Sequence, residues 1–144
     1  RMKTVIGKNC WIMAYCHIAH DCIVGDNCIF SNNSTLAGHI NVGDYVILAG
    51  MAAIQQFCSI GRHAFVTGGS LVRKDVPPFV KAGREPLSYV GINSIGLRRR
   101  GFTTEKYVRY RIFIEFCIRK TIITPRLLLL LKLKCRQPQK GTKY

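Results

Sequence analysis

Every sixth residue from Ile6 is apolar for twelve steps: Ile6, Ile12, Ile18, Val24, Phe30, Leu36, Val42, Leu48, Ile54, Ile60, Val66 and Val72. Apolar residues make up 48% of the chain. At that frequency twelve in succession has chance odds of roughly one in several thousand. No α-helix and no alternating strand produces a period of six, because their side-chain periods are 3.6 and 2. The next position is often small, as at Gly7, Ala19, Gly25, Ser31, Ala37, Gly43, Ala49 and Gly61. Four residues after the apolar one stand Cys10, Cys16, Cys22, Cys28, Ser34, Ala52, Cys58, Ala64 and Ser70, with Ile40 and Val46 larger.

One apolar side chain per six residues fills an interior. A small residue at the other inward position lets the chain turn tightly around it. This is a β-solenoid, and its hexapeptide form is the left-handed parallel β-helix. The cysteines then have a plain explanation. Five of the seven occupy the small inward slot, where a free thiol behaves as a compact hydrophobe. No CxxC pair suggests a metal or redox site.

The repeat ends after Val72, and Val76-Pro77-Pro78 is expected to break the ladder, because proline cannot donate to it. The β-helix is therefore placed at residues 1–78. Residues 79–106 read as a linker and the start of a small α-helical C-terminal domain, with a helix start at Thr103-Thr104-Glu105. The formal charge of +15 invites an acidic partner. It is uneven, however. Residues 1–106 hold 12 basic and 6 acidic residues, whereas residues 107–144 hold 10 basic and one acidic. No nucleic-acid partner is assigned on that basis. Leu127 to Leu131 is too short to span a bilayer and no secretory signal is visible. The chain is expected to be soluble and cytoplasmic. It opens on Arg1 without an initiator Met, which suits a chain that lacks N-terminal coils.

Three hexapeptides make one coil, so eighteen residues return the chain to the same place about 4.8 Å higher. His20, Gly38 and Gln56 stand 18 apart and should stack; Asp21 and His39 form the adjacent column. A neutral imidazole takes a proton from a hydroxyl near neutral pH. A carboxylate beside it fixes the tautomer. A glycine one coil above offers a backbone N–H to a developing oxyanion. That set suits direct acyl transfer to an alcohol, with no acyl-enzyme. His17, His20 and His39 near one patch also suit a metal. A metal-dependent, carbonic-anhydrase-like enzyme on the same fold is thus a rival reading, although no metal or cofactor is assigned. His63 lies elsewhere in the repeat and has no assigned role.

The stretches His17-Ile-Ala-His20-Asp21-Cys22, Leu36-Ala-Gly38-His39, Gln55-Gln56-Phe57, Asp75-Val-Pro-Pro78 and Gly96-Leu-Arg-Arg-Arg-Gly-Phe102 keep a distinctive order and spacing. Over residues 1–106 they resemble the acyl-carrier-protein–UDP-N-acetylglucosamine O-acyltransferases, which carry out the first step of lipid A synthesis. The resemblance implies a homotrimer with active sites between subunits. It implies a 3-hydroxyacyl donor on acyl carrier protein and the glucosamine 3-hydroxyl of UDP-N-acetylglucosamine as acceptor. By position, His20 matches the general base, Asp21 its partner and Gly38 the oxyanion donor. His17, His39 and Gln56 match acceptor-site residues, and Gly68 falls where acyl length is gauged. Asn93, Arg99 and Arg100 match positions near the nucleotide, where arginine suits a diphosphate. Gln55 stands where members usually carry histidine, and Pro86 where some do. An inactive fragment of such an enzyme is the other rival reading.

From Tyr107 the resemblance stops. Glu105-Lys106 can be encoded by a run of A bases, and restoring one base there changes the downstream reading. The recovered peptide has apolar residues at helical spacing and balanced charge. Residues 107–144 are therefore expected to be out of frame. The rival is a genuine basic tail that lies on a membrane surface.

Overall fold

The computed structural model describes residues 3–119. Twelve two-residue strands come first. They are β1 (Val5–Ile6), β2 (Trp11–Ile12), β3 (His17–Ile18), β4 (Ile23–Val24), β5 (Ile29–Phe30) and β6 (Thr35–Leu36). Then follow β7 (Asn41–Val42), β8 (Ile47–Leu48), β9 (Ala53–Ile54), β10 (Ser59–Ile60), β11 (Phe65–Val66) and β12 (Leu71–Val72). The second residue of each strand is the apolar member of the six-residue repeat.

Strands three apart in sequence pair in parallel, so the chain winds through three sheets in turn. One sheet is β1-β4-β7-β10, another β3-β6-β9-β12, and the third contains β2-β5-β8-β11. The register is 18 residues, as in Val5↔Ile23, Ile23↔Asn41 and Asn41↔Ser59. This is the left-handed parallel β-helix that the repeat predicts. The inward residues Phe30, Leu36, Leu48, Ile54, Ile60 and Val66 are buried. Each contributes roughly 1.5–3 kcal/mol through removal from water. Ile6 and Ile12 occupy the same slot in the first coil yet are 45% and 42% exposed, because the described chain places no coil beneath them.

The corners recur with the same period. Asn9, Tyr15, Asp21, Asn27, Asn33, His39, Tyr45, Met51, Phe57 and His63 all lie in the left-handed region, with φ between 56° and 66°. Asn, Asp and His tolerate this conformation best among L-residues. The small slot behaves as expected for thiols. Cys22 Sγ donates to Ala37 O at 3.1 Å and Cys28 Sγ to Gly43 O at 3.2 Å. All six described cysteines are free. Burial pushes the Cys28 thiol up to about 12, so it is inert as a nucleophile.

The ladder does not stop at the prolines. Val76 N donates to Ser59 O at 2.9 Å, and Gly61 N donates to Val76 O at 2.8 Å. β13 (Val80–Gly83) then continues the third sheet beside β11, with Phe65↔Lys81 in register. That coil is 16 residues long and not 18. The prolines are tolerated because they fall at the corner between these bonded positions, where no ladder N–H is needed. β14 (Ser88–Ile92) pairs antiparallel with β13. Next come α1 (Ser94–Arg99) and α2 (Thr104–Arg119). The helix start falls within one residue of the sequence expectation, and α2 runs through Tyr107 without a break. The described chain divides into two compact units between Arg111 and Ile112. The remainder of the segment expected to be out of frame lies outside the described residues.

Candidate active site

The corner between β3 and β4 carries His20 and Asp21. The same corner one coil further carries Gly38 and His39, and the next carries Gln56 and Phe57. Backbone bonds hold these corners in stack: His39 N donates to His20 O at 3.1 Å, and Phe57 N to Gly38 O at 3.3 Å. Asp21, His39 and Phe57 share the left-handed corner conformation, so their side chains leave the helix in one direction.

His20 Nδ1 and Asp21 Oδ2 lie 2.8 Å apart. A carboxylate accepts, so Nδ1 carries the proton and Nε2 is left with a free lone pair. The His20 side chain is 65% exposed, and that of Asp21 only 12%. The imidazole is therefore reachable while the carboxylate beside it is shielded. Gly38 stands directly over the imidazole. A Cβ on it would fall 2.6 Å from His20 Cε1 and 2.8 Å from Nε2. Any side chain there would cover Nε2. His39 packs edge-on against His20, ring centroids 5.0 Å apart, and stacks on Phe57 at 4.9 Å.

The three-histidine set does not form. Among the described residues the cluster with metal-ligand proximity is His20, Asp21 and His39. His17 instead points outward from β3 on the sheet face. Gln56 is exposed at the corner above Gly38. The remaining candidates lie away from this corner, Gly68 at another corner of the prism and Asn93, Arg99 and Arg100 at α1. Gly68 is exposed in the corner after β11, where a Cβ would meet Gly50 O at 3.1 Å. Asn93 is buried and its amide is engaged within the chain. Its Oδ1 accepts from Gly96 N at 3.2 Å, capping α1, and its Nδ2 donates to His63 O at 3.0 Å. Arg99 is exposed. The Arg100 guanidinium lies 5.2 Å over the Tyr45 ring, and burial lowers its pKa.

Sequence reasoning missed two groups. Phe57 is one. The other is an aromatic column on the third corner, where His63 stacks between Tyr45 (4.8 Å) and Phe79 (5.5 Å), and Tyr110 stacks on Phe79 (4.4 Å). Burial, then the charges of Arg100 and Arg62, press the His63 pKa down to about 3. The 18-residue spacings His39 to Phe57 and Tyr45 to His63 were the available signals.

The fold defines a hexapeptide-repeat protein, with the His20–Asp21 dyad as its candidate site. The comparisons with known proteins agree. The bacterial transferase hexapeptide (six repeats) family matches residues 3–38, and Udp N-acetylglucosamine O-acyltransferase, domain 2, matches residues 75–123. The chain is 57% identical over 104 residues to the acyl-carrier-protein–UDP-N-acetylglucosamine O-acyltransferase of Stenotrophomonas maltophilia, covering 72% of this chain and 40% of that protein. The enzyme of the same name from Thiobacillus denitrificans is 54% identical over 105 residues, or 73% of this chain and 41% of that one. Among solved structures, the UDP-N-acetylglucosamine acyltransferase of Bacteroides fragilis aligns with a TM-score of 0.74 at 39% identity, covering 76% and 43% of the two chains. The O-acyltransferase of Moraxella catarrhalis gives 0.77 at 36% identity, covering 81% and 45%. The chain belongs to the UDP-N-acetylglucosamine O-acyltransferase family. It spans about 40% of the length of the curated relatives it matches.

Proposed function

We propose that this chain carries the acyl-transfer site of an enzyme that moves a 3-hydroxyacyl group from acyl carrier protein to the glucosamine 3-hydroxyl of UDP-N-acetylglucosamine, the first step of lipid A synthesis. The observation that carries the reading is the His20–Asp21 bond at 2.8 Å beneath a glycine whose lack of a side chain keeps Nε2 open.

The proposed steps use the residues so arranged. His20 Nε2 takes the acceptor hydroxyl proton as that oxygen attacks the thioester carbonyl carbon. The Gly38 N–H donates to the carbonyl oxygen as it becomes negative. Collapse of the tetrahedral intermediate breaks the C–S bond, and the proton on His20 passes to the departing thiolate. Asp21 holds the ring and stabilises the imidazolium between the two transfers. No covalent intermediate is required.

His17, His39 and Gln56 take the acceptor sugar in this scheme. Gly68 meets the acyl chain. Asn93 shapes the α1 cap, from which Arg99 and Arg100 meet the nucleotide. His39 and Gln56 lie at the corner of His20, Gly68 at another corner, and Asn93, Arg99 and Arg100 at α1. A homotrimer supports their convergence, because different corners of neighbouring copies then face one cleft. No described helix is long and apolar enough to cross a membrane. We place the reaction in the cytoplasm, where a sugar nucleotide and an acyl carrier protein meet, without a cofactor. The second reading is a piece of such an enzyme with no activity of its own, and the 40% span of its relatives favours it.

The test is transfer from 3-hydroxyacyl carrier protein to UDP-N-acetylglucosamine, in the chain and in His20→Ala. Loss of a general base lowers turnover by about 10²–10⁴-fold. Transfer that survives the substitution at near-normal rate refutes the role of His20. No transfer in either chain favours the inactive piece.

A further inference from the structure

We propose that His20, Asp21 and His39 form a binding site for a divalent transition-metal ion of the zinc, cobalt or nickel class. One donor atom from each residue lies within 4.8 Å of the other two. Asp21 Oδ2 is the hub, 2.8 Å from His20 Nδ1 and 3.9 Å from His39 Nε2. Two imidazole nitrogens with one carboxylate oxygen is a donor set that these ions favour. Neighbouring ligand atoms in a tetrahedral site with bonds of about 2.0–2.2 Å stand roughly 3.3–3.5 Å apart. The Asp21–His39 pair is within half an ångström of that spacing, and the Asp21–His20 pair has to open by a similar amount.

Several features make this more than a crowded surface. The donors are short side chains fixed by backbone corners one coil apart, so their spacing does not depend on long flexible stems. The His39 ring is held against Phe57 by stacking at 4.9 Å with an interplanar angle of 11°. The carboxylate at the centre is 12% exposed, whereas the imidazoles are 65% and 37% exposed. The anionic ligand is shielded, and the remaining coordination positions face solvent. That is the arrangement of an open site, which keeps a place for water or a substrate atom.

The inference rests on geometry alone and does not depend on the acyl-transfer reading. An ion on His20 removes the hydrogen bond to Asp21 and fixes the ring, so ion binding and proton transfer at this dyad exclude one another.

The test is a cobalt(II) titration of the purified chain followed by visible absorption, with zinc(II) as competitor. The expected result is one saturable site per chain with the ligand-field bands of a nitrogen–oxygen site. Zinc should bleach those bands, and no thiolate charge-transfer band should appear in the near ultraviolet. His20→Asn and His39→Asn should each abolish the signal, and His17→Asn should leave it. In the unsubstituted chain, cobalt should broaden the ring-proton resonances of His20 and His39 and spare those of His63, which needs no variant. Absence of saturable binding overturns the proposal. So does a site that survives both the His20 and His39 substitutions, or one whose spectrum shows thiolate, which would assign the ion to the cysteines.

Discussion

The coils from β4 to β12 and the second half of α2 differ in how completely they bury their apolar residues. In the coils, every apolar residue at the repeat position is buried, from Val24 to Val72. In α2, Ile112 and Phe116 are 61% and 53% exposed, while Ile114 and Cys117 are buried. The coil sequence obeys its own period, and structure and pattern point to one answer. The α2 sequence places Tyr107, Tyr110, Ile114 and Cys117 on one half-buried to buried stripe at helical spacing, but carries further apolar residues on its exposed face. Agreement between levels is the mark of a sequence selected for its fold. The first region has it throughout, whereas the second pairs a buried stripe with an exposed apolar face.

The contrast makes energetic predictions, and the largest lies in the coils. Phe30 is 1% exposed at the centre of the prism. Phe30→Ala should cost about 3–5 kcal/mol through lost burial and the cavity left behind. Urea denaturation measures it as a lowered midpoint at unchanged slope. A cost below about 1 kcal/mol would mean that the coils are no better packed than α2.

Next comes the aromatic corner. His63 has a folded-state pKa of about 3 against an ordinary value of 6.5. The folded state keeps it neutral and the unfolded state does not. Its contribution is thus fully present above about pH 6.5 and is lost as pH falls toward about 3, by at most about 1.4 kcal/mol per pH unit. Denaturation at about pH 7 and about pH 4.5 should show a smaller acid loss in His63→Phe than in the unsubstituted chain. Equal losses would show that this column does not exclude a charge.

A third effect concerns close approach. Gly61 packs against Pro78, and an added Cβ would fall 2.6 Å from Pro78 Cα. Gly61→Ala should cost roughly 1–3 kcal/mol by overpacking the corner where the coil shortens. A neutral result would show that the proline corner gives way freely.

The legibility of the chain follows the same division. A strict period of six is generated by one architecture, so Ile6 to Val72 set out the coils, and arithmetic in eighteens stacked His20 under Gly38 and Asp21 beside His39. The ladder past Pro77-Pro78 was not legible. A proline at a corner and a proline in a strand look alike in sequence and differ only in whether a ladder N–H is needed there. His63 was passed over because a lone histidine does not announce its burial; of its ring neighbours, Tyr45 stands 18 residues away within the repeat, but Phe79 and Phe102 come from outside it. Asn93 matches a position near the nucleotide in the resemblance, and its amide is also engaged by Gly96 N and His63 O, a partnership that only the fold reveals.

The smallest effect is the one that separates the two regions. Replacement of an exposed apolar residue away from caps and partners changes stability by no more than about 0.5 kcal/mol. Ile112→Gln on α2 should fall within that range, whereas the same kind of change at Val42 in the coils buries an amide without a partner and should cost about 1–3 kcal/mol. A large loss at Ile112 would show that α2 has a specific apolar role after all. A negligible one agrees with our proposal that the chain from Tyr107 onward is read in the wrong frame. The family match to residue 123 argues for some continuity there, and the charge of 10 basic against one acidic residue argues against it. Resequencing the gene through the A-run at Lys106 decides the matter: an additional base restores a balanced amphipathic helix, and the present base count makes α2 a genuine, poorly patterned helix.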